Sequence, residues 1–419
     1  MESTLLIIKK EQALRWLESQ MVPNQIVKKK QVKRDGLILS YDHPKSVKGY
    51  KYIYSRSNLY DNALAVIVFT MENRQDLAKK IILALEKSSP DGKLFFNYNT
   101  HNLWPNINDS QGALQRVGAN AWLGYAIAFY ISSLKRKNQA PSNEVLNFLQ
   151  RITKVHLQYL YKRSKKRIGV TDSRDNLFLG GENSYELILS EGKVVEEFKK
   201  EKIKWASIEH NIDSYFYLKE ANNHLKDGRI IPILKQLKQV LIEKAWNPKL
   251  QQFNQGIRAN GPDTSEALDM ASWGSLFLTS IDEKEKAKAA LKKTFAYSTQ
   301  TPKGFLGHKP YINSYIFKEE KIAKNLIGVH HKWKNFDFIW FEGTFGVIMA
   351  KLKLGENEEV KKQLILSTSF QNSKTGAFPY ATKEIPLSFS TSPSVASTAW
   401  FILCVSALQS KENLDLFWN

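Results

Sequence analysis

The chain has 419 residues, 42% of them apolar and 24% charged, a balance that excludes wholesale disorder and supplies enough apolar material for a large core. No run approaches the roughly 18–20 apolar residues needed to span a bilayer, and the apolar stretch 5–8 is too short for a signal-peptide core, so a cytoplasmic protein is expected. The net charge of +20 admits a polyanion partner such as nucleic acid, but its clusters at 28–30, 162–167 and 199–204 do not interleave with aromatics as single-strand grooves do, which favours a solvated Lys-rich surface.

Along the chain, two kinds of helix pattern alternate. Ala13, Leu14, Leu17 and Met21 show the i, i+3, i+4, i+7 spacing of an amphipathic helix. The same spacing recurs at 77–85, 145–160, 231–241, 287–295 and, more weakly, 360–366. Between these lie six more uniformly apolar segments, each opened by a polar or aromatic head. The heads are Asn58–Ala65, Gly118–Trp122, Ser207–Asp213, Ala267–Trp273, Trp340–Thr344 and Ala396–Trp400. Gly-containing, aromatic-rich loops precede most heads, at 35–39, 91–96, 176–181, 246–256, 303–307 and 375–380. Their turn chemistry beside short apolar segments predicts small β-hairpins or tight loops. The stretch 171–205 is the largest excursion and predicts a strand pair (184–189, then 194–198) partly covering the same rim.

From Asp61 through Trp122, Glu209, Asp269, Glu342 and Trp400 the heads recur at steps of about 58 to about 87 residues. That length suits a hairpin of two helices plus loops, because helices average about 11–12 residues. Six such hairpins predict a closed ring of inner and outer helices, with heads and loops gathered on one rim. No Pro-rich or Gly/Ser-rich linker divides the chain, so residues 1–419 are expected to form one domain. Cys404 lies in the apolar run 399–408 and reads as a buried core thiol; as the only cysteine it excludes an intrachain disulfide.

The heads also carry a specific resemblance. Tyr-Asp-Asn-Ala-Leu-Ala (60–65), Ala-Trp (121–122), Ser-x-Glu-His-Asn-x-Asp-x-Tyr (207–215), Leu-Asp-x-x-Ser-Trp (268–273), Trp-x-Glu-Gly-Thr (340–344) and Ala-x-Thr-Ala-Trp (396–400) follow in this order. Over about residues 50–408 the chain resembles a group of bacterial proteins that is similar to the six-hairpin, (α/α)6-toroid glycosidases. The resemblance implies an all-α toroid of six helical hairpins with short β-hairpin loops on one rim, and carbohydrate-active chemistry in a groove there. Epimerases, lyases and members without known catalysis share that superfamily, so fold alone leaves the reaction open.

The residues themselves point to carboxylate chemistry. Ser207 suits a helix N-cap, placing Glu209, His210 and Asn211 in the first turn and Asp213 on the same face as Glu209. Asp61, Asp269 and Glu342 likewise sit in first turns, where the helix dipole alone would account for an acid. Glu342 lies between aromatics and a glycine, a setting that can desolvate a carboxyl and raise its pKa as a general acid requires. Glycoside hydrolysis needs two such groups. Candidate catalytic acids are therefore Glu209, Asp61, Glu342 and Asp269, in that order. Tyr60, Trp122, His210, Asp213, Trp273, Trp340 and Trp400 are candidates for holding a sugar, with inner-core packing as the competing reading of each indole. A glycoside hydrolase on a glycan or oligosaccharide is the leading expectation. A sugar epimerase or isomerase using His210 is the alternative, and a basic scaffold holding a polyanion is a further one. No metal or other cofactor is expected: His330–His331 lie in a loop, read as solvated, and no HExxH or paired-Cys spacing occurs.

Overall fold

The computed structural model describes residues 2–21, 25–27, 30–32, 36–47, 49–100, 111–162 and 172–418. Lys28, Lys29, Asp35 and residues 163–167, which carry much of two basic clusters and the start of one loop, lie outside them. Among the described residues the helices are α1 Glu2–Ser19, α2 Tyr50–Ile53, α3 Leu59–Met71, α4 Gln75–Ser88, α5 Val117–Arg136, α6 Asn143–His156, α7 Ile208–Asn222 and α8 Ile230–Val240. They continue as α9 Leu268–Ser280, α10 Lys284–Lys293, α11 Glu320–Ile327, α12 Phe341–Lys353, α13 Asn357–Ser367, α14 Val395–Gln409 and α15 Lys411–Leu416.

Two classes of helix build a helical toroid. In α3, α5, α9, α12 and α14 nearly every residue is buried, as expected of helices apolar on all faces. Outer helices bury one stripe: α6 hides Val145, Phe148, Leu149 and Ile152, and α8 hides Ile230, Ile233, Leu237 and Val240. Each such side chain contributes about 1.5–3 kcal/mol relative to exposure. Contacts run from α3 to α5, α7, α9, α12, α14 and back to α3, closing a ring. Outside it, α4, α6, α8, α10 and α13 pack on the inner helix that precedes each, and α1 packs on α14.

The rim where the inner helices begin is laced by short β-pairings. Asn58, Arg116, Ser207, Ala267, Trp340 and Ser394 each cap an inner helix with extended backbone. Each pairs with a segment leading into another inner helix: Asn58 with Asn97, Arg116 with Gly181, Ser207 with Gly256, Ala267 with Tyr311, Trp340 with Ala381, and Ser394 with Tyr41. One turn past four of the caps, a polar side chain accepts a hydrogen bond from a loop backbone N–H. Asn62 takes that of Ile38, Asn211 that of Phe178, Thr344 that of His308 and Thr398 that of Phe378, at 2.7–3.1 Å. These bonds explain why Gly-aromatic loops and helix heads keep the same phase in the sequence: the loops serve as docking partners of the heads. The excursion forms a strand pair, Gly181–Ser190 with Lys193–Ile203, which carries the basic cluster 199–204.

The opposite end of the ring axis is closed by rings. Trp418 stacks on Phe216 at 4.4 Å, lies 5.1 Å from Trp122 and 5.5 Å from Trp273, and donates its backbone N–H to the Tyr125 hydroxyl at 2.9 Å. Cys404 is fully buried.

Candidate active site

The β-laced rim surrounds a cavity of about 810 Å³. The inner helices aim their first turns into it. Asp61 enters from α3; Glu209, His210 and Asp213 from α7; Asp269 from α9; Glu342 from α12; Trp122 and Trp273 stand lower on α5 and α9. Tyr60 and Trp340 complete this part of the wall. Ser207 caps α7, accepting the His210 backbone N–H at 3.4 Å. Glu209 and Asp213, one turn apart, both face the cavity. A side chain at Gly118 would overlap the His210 ring, and one at Gly343 the Trp340 indole, so these two glycines let the neighbouring ring seat against the helix.

Five of the carboxyl groups on the cavity wall, Asp61, Glu209, Asp213, Asp269 and Glu342, come from the inner helices, and among the described residues none of these five is in an ion pair with Lys, Arg or His. Asp61, Asp213 and Glu342 are buried. Glu209 and Asp269 are half-buried and keep an accessible edge toward the cavity. Loss of hydration is the main force on all five. It pushes Asp61 up to about 6 against the hydrogen bonds from Ser40 and Asn58, the latter donating at 3.0 Å. Burial raises Glu209 to about 7. It raises Glu342 to about 8, opposed by a hydrogen bond from Tyr60 and helped by the charges of Asp61 and Glu209. Asp213 and Asp269 are driven well above the ordinary carboxylate range, by burial first and then by Glu209 and other acids in the group. One oxygen of each, Oδ1, is buried without a protein partner.

The polar rings around these acids are ordered in layers. Trp400, fully buried, does not reach the cavity wall; its indole N–H donates to the Tyr60 hydroxyl at 2.8 Å, leaving the Tyr60 O–H to serve Glu342. Trp122 contacts Tyr60, Trp273, Trp400 and Trp418 with ring centroids 5.1–6.3 Å apart, so the cavity floor is an aromatic cluster. His210 is held to about 4 by burial and by the charge of Arg116, and its Nδ1 has no protein partner.

The wall also contains residues outside the helix heads: Tyr41, His43, Arg56, Arg116 and Tyr380. Tyr41 and His43 stack at 5.0 Å, and His43 Nδ1 lies 2.9 Å from Ser392 Oγ. Arg56 and Arg116 stand just before two of the heads, a position whose extended backbone turns the side chain onto the rim; that placement was the available signal. Tyr41 lies in a loop outside the recurring pattern, whereas Tyr380 ends the Gly-aromatic loop 375–380. His330 is half-buried rather than solvated: it stacks on Tyr315 at 3.9 Å and its Nε2 lies 3.2 Å from the Phe317 carbonyl. Among the described residues no group of three or more His, Cys, Asp or Glu is arranged to hold a metal ion, and no helix is long and apolar enough to cross a membrane.

The arrangement of the helices is shared with known sugar-processing proteins. The cellobiose 2-epimerase of Bacillus thermoamylovorans B4167 superposes with a TM-score of 0.58 at 10% identity, covering 96% of this chain and 98% of that one. A D-mannose isomerase gives 0.59 at 11% identity, covering 97% of each chain. A GH76 alpha-mannanase of Bacteroides thetaiotaomicron gives 0.55 at 9% identity, covering 96% of each. The chain shares the helical-toroid fold of these proteins. No family model matches the sequence, and no curated protein matches it. Proteins of this fold include both epimerases and glycosidases, so the reaction has to be argued from the residues of the cavity.

Proposed function

We infer that residues 1–419 work as one (α/α)6 toroid domain of six hairpins and that the protein is a carbohydrate-active enzyme, a glycoside hydrolase. The observation that carries this reading is the set of inner-helix carboxyl groups that share one cavity, have divergent acidities and form no ion pair among the described residues. At neutral pH Glu342, raised to about 8, holds a proton, whereas Asp61, at about 6, is ionised. Such a split is what assigns acid and base roles to two otherwise similar groups. Glu342 would protonate the glycosidic oxygen as the bond to the leaving sugar breaks. Asp61, or Glu209 across the same group, would take the proton of the attacking water or attack the anomeric carbon itself. Trp122, Trp273 and Trp340 offer apolar faces to a sugar ring, and Asp213, Asp269 and Tyr60 offer polar edges to its hydroxyls.

The test is release of reducing ends from β-glucans, α-glucans, anionic polysaccharides and their oligosaccharides, with Glu342→Gln and Asp61→Asn as controls. Loss of activity in both variants supports the assignment; unchanged turnover overturns it. His210 supports an epimerase or isomerase as the second reading. Kept neutral by its low pKa and set beside Asp213 and Glu209, it suits proton abstraction next to a carbonyl. Interconversion of free sugars with solvent deuterium incorporation, and with no gain in reducing ends, would select that reaction over hydrolysis.

A further inference from the structure

Arg116 is built into the cavity rim in a way the carboxylate chemistry does not use. It caps α5 with extended backbone, and its Nη1 donates to three backbone carbonyls: Gln115 and Glu182 at 3.2 Å and Asn183 at 2.7 Å. Two of these carbonyls come from the root of the strand pair, where the register shifts between Glu182 and Ser184. Asn183 adopts φ +63° there, a conformation asparagine tolerates better than most residues, and its amide donates to the Ala113 carbonyl at 2.9 Å. The bulge thus turns a carbonyl toward Arg116 and fixes the guanidinium plane. Only one nitrogen is consumed. Among the described residues Nε and Nη2 form no hydrogen bond, and Arg116 forms no ion pair.

This cation does not serve the five acids. Its charge is felt at His210, whereas burial and neighbouring acids, not Arg116, set the acidities of Asp61, Glu209, Asp213, Asp269 and Glu342. Glu201 lies within electrostatic range of Arg116, but its carboxylate accepts from Ser184 Oγ at 2.5 Å. A second cation, Arg56, lines the same mouth and acts on Tyr41 and His43. The cavity wall therefore carries, besides its acids, a pre-oriented guanidinium edge near His210 and the strand pair, a pair that also contributes Glu196 to the wall.

A guanidinium held by one nitrogen and offering its remaining edge matches the two oxygens of a carboxylate or phosphate. We propose that Arg116 recognises an anionic group on the saccharide, so that the substrate is an acidic sugar bearing a carboxylate or a phosphate. The proposal rests on the sugar-binding reading of the cavity. Burial keeps several of the facing acids protonated, which lowers the repulsion such a ligand would otherwise meet.

Calorimetric titration of the full chain with D-glucuronate, D-glucose 6-phosphate and D-glucose, at low and high NaCl, tests it. One of the two anions should bind about tenfold or more tightly than glucose, in keeping with a charge-assisted bidentate contact. The stronger of the two identifies the group. Added salt should narrow the gap. Arg116→Gln should abolish the gap and leave glucose binding in place, with thermal unfolding as the control for folding. If Arg116→Gln does not fold, Arg116→Lys is read instead: it keeps the charge, lacks the fork, and should lose most of the preference. Equal affinity for glucose and both anions, or a preference that survives Arg116→Gln or is undiminished in Arg116→Lys, overturns the proposal while leaving the sugar reading intact. Failure of all three sugars to bind refutes both.

Discussion

The two ends of α3 place a carboxylate in opposite circumstances. Asp61, in the first turn, faces the cavity with an amide partner, Asn58, and no cation. Glu72, capping the last turn, accepts both a bidentate contact from Lys10 Nζ, at 3.0 and 2.9 Å, and a hydrogen bond from Ser406. The helix dipole by itself would favour an ionised acid at the first site and disfavour it at the second. Pairing reverses that order: the acid at the unfavourable end is neutralised, and the one at the favourable end is left to burial. The contrast extends to the two ends of the toroid. One is sealed by Phe417, Trp418 and Tyr125; the other opens on the five inner-helix carboxyl groups, none of them ion-paired among the described residues. An acid that folding needs is given a counter-charge. The acids of the cavity are held at a cost in hydration that packing alone does not explain, and this is what separates the functional end from the structural one.

The largest effect should come from Glu342→Gln, which keeps the shape and removes the proton donor. Turnover should fall about 10²–10⁴-fold, the usual contribution of a general acid, with no loss of melting temperature near pH 7, where holding the Glu342 proton costs the wild type stability and the variant none. The same variant sharpens the comparison through pH. In the folded protein Glu342 titrates near 8 rather than its ordinary 4.5, so between those values the native state holds a proton that the unfolded chain has released. Its contribution to stability is full below about pH 4.5 and is lost as pH rises toward 8. Denaturant titrations of the wild type should show that decline, and Glu342→Gln should flatten it.

At the structural end, Lys10→Met should strand Glu72 and destabilise the fold by about 3–5 kcal/mol, read by denaturant unfolding, while turnover per folded molecule stays the same. Substantial loss of turnover there would break the distinction between the two ends. A smaller effect is expected in the pH–rate profile. Activity should rise as Asp61 ionises near 6 and fall as Glu342 deprotonates near 8, giving a maximum close to neutrality. The smallest should be Tyr60→Phe. It removes a hydrogen bond that holds the Glu342 carboxyl down, so the descending limb should move to higher pH. An unmoved limb would take Tyr60 out of the acid's surroundings.

Most of this contrast has its origin in local pattern. The alternation of amphipathic and uniformly apolar helices, the Ser207 cap and the shared phase of loops and heads are readable because helix periodicity and capping act over a few residues. The first-turn positions of Asp61, Glu209, Asp269 and Glu342 follow from the same short-range rules, which is why they could be named before their surroundings were known. Which of Asp61 and Glu72 is paired is not a local matter, however: Lys10 and Ser406 are brought to Glu72 across 62 and 334 residues. Trp400 shares its head pattern with Trp122, yet ring closure turns it into a buried partner of Tyr60, 340 residues away. Tyr41 and Tyr380 reach the cavity from loops at opposite ends of the chain, meeting edge to face at 5.8 Å. Arg116 acquires its orientation from a bulge in a strand pair that begins more than sixty residues later. The sequence by itself determined the helices, their polarity and the rim to which the acids belong, because those depend on neighbours along the chain. Which charges are paired, which rings line the cavity and how strongly each carboxyl is dehydrated were decided by the tertiary structure alone, since burial and ion pairing depend on what the closing ring brings together from distant segments.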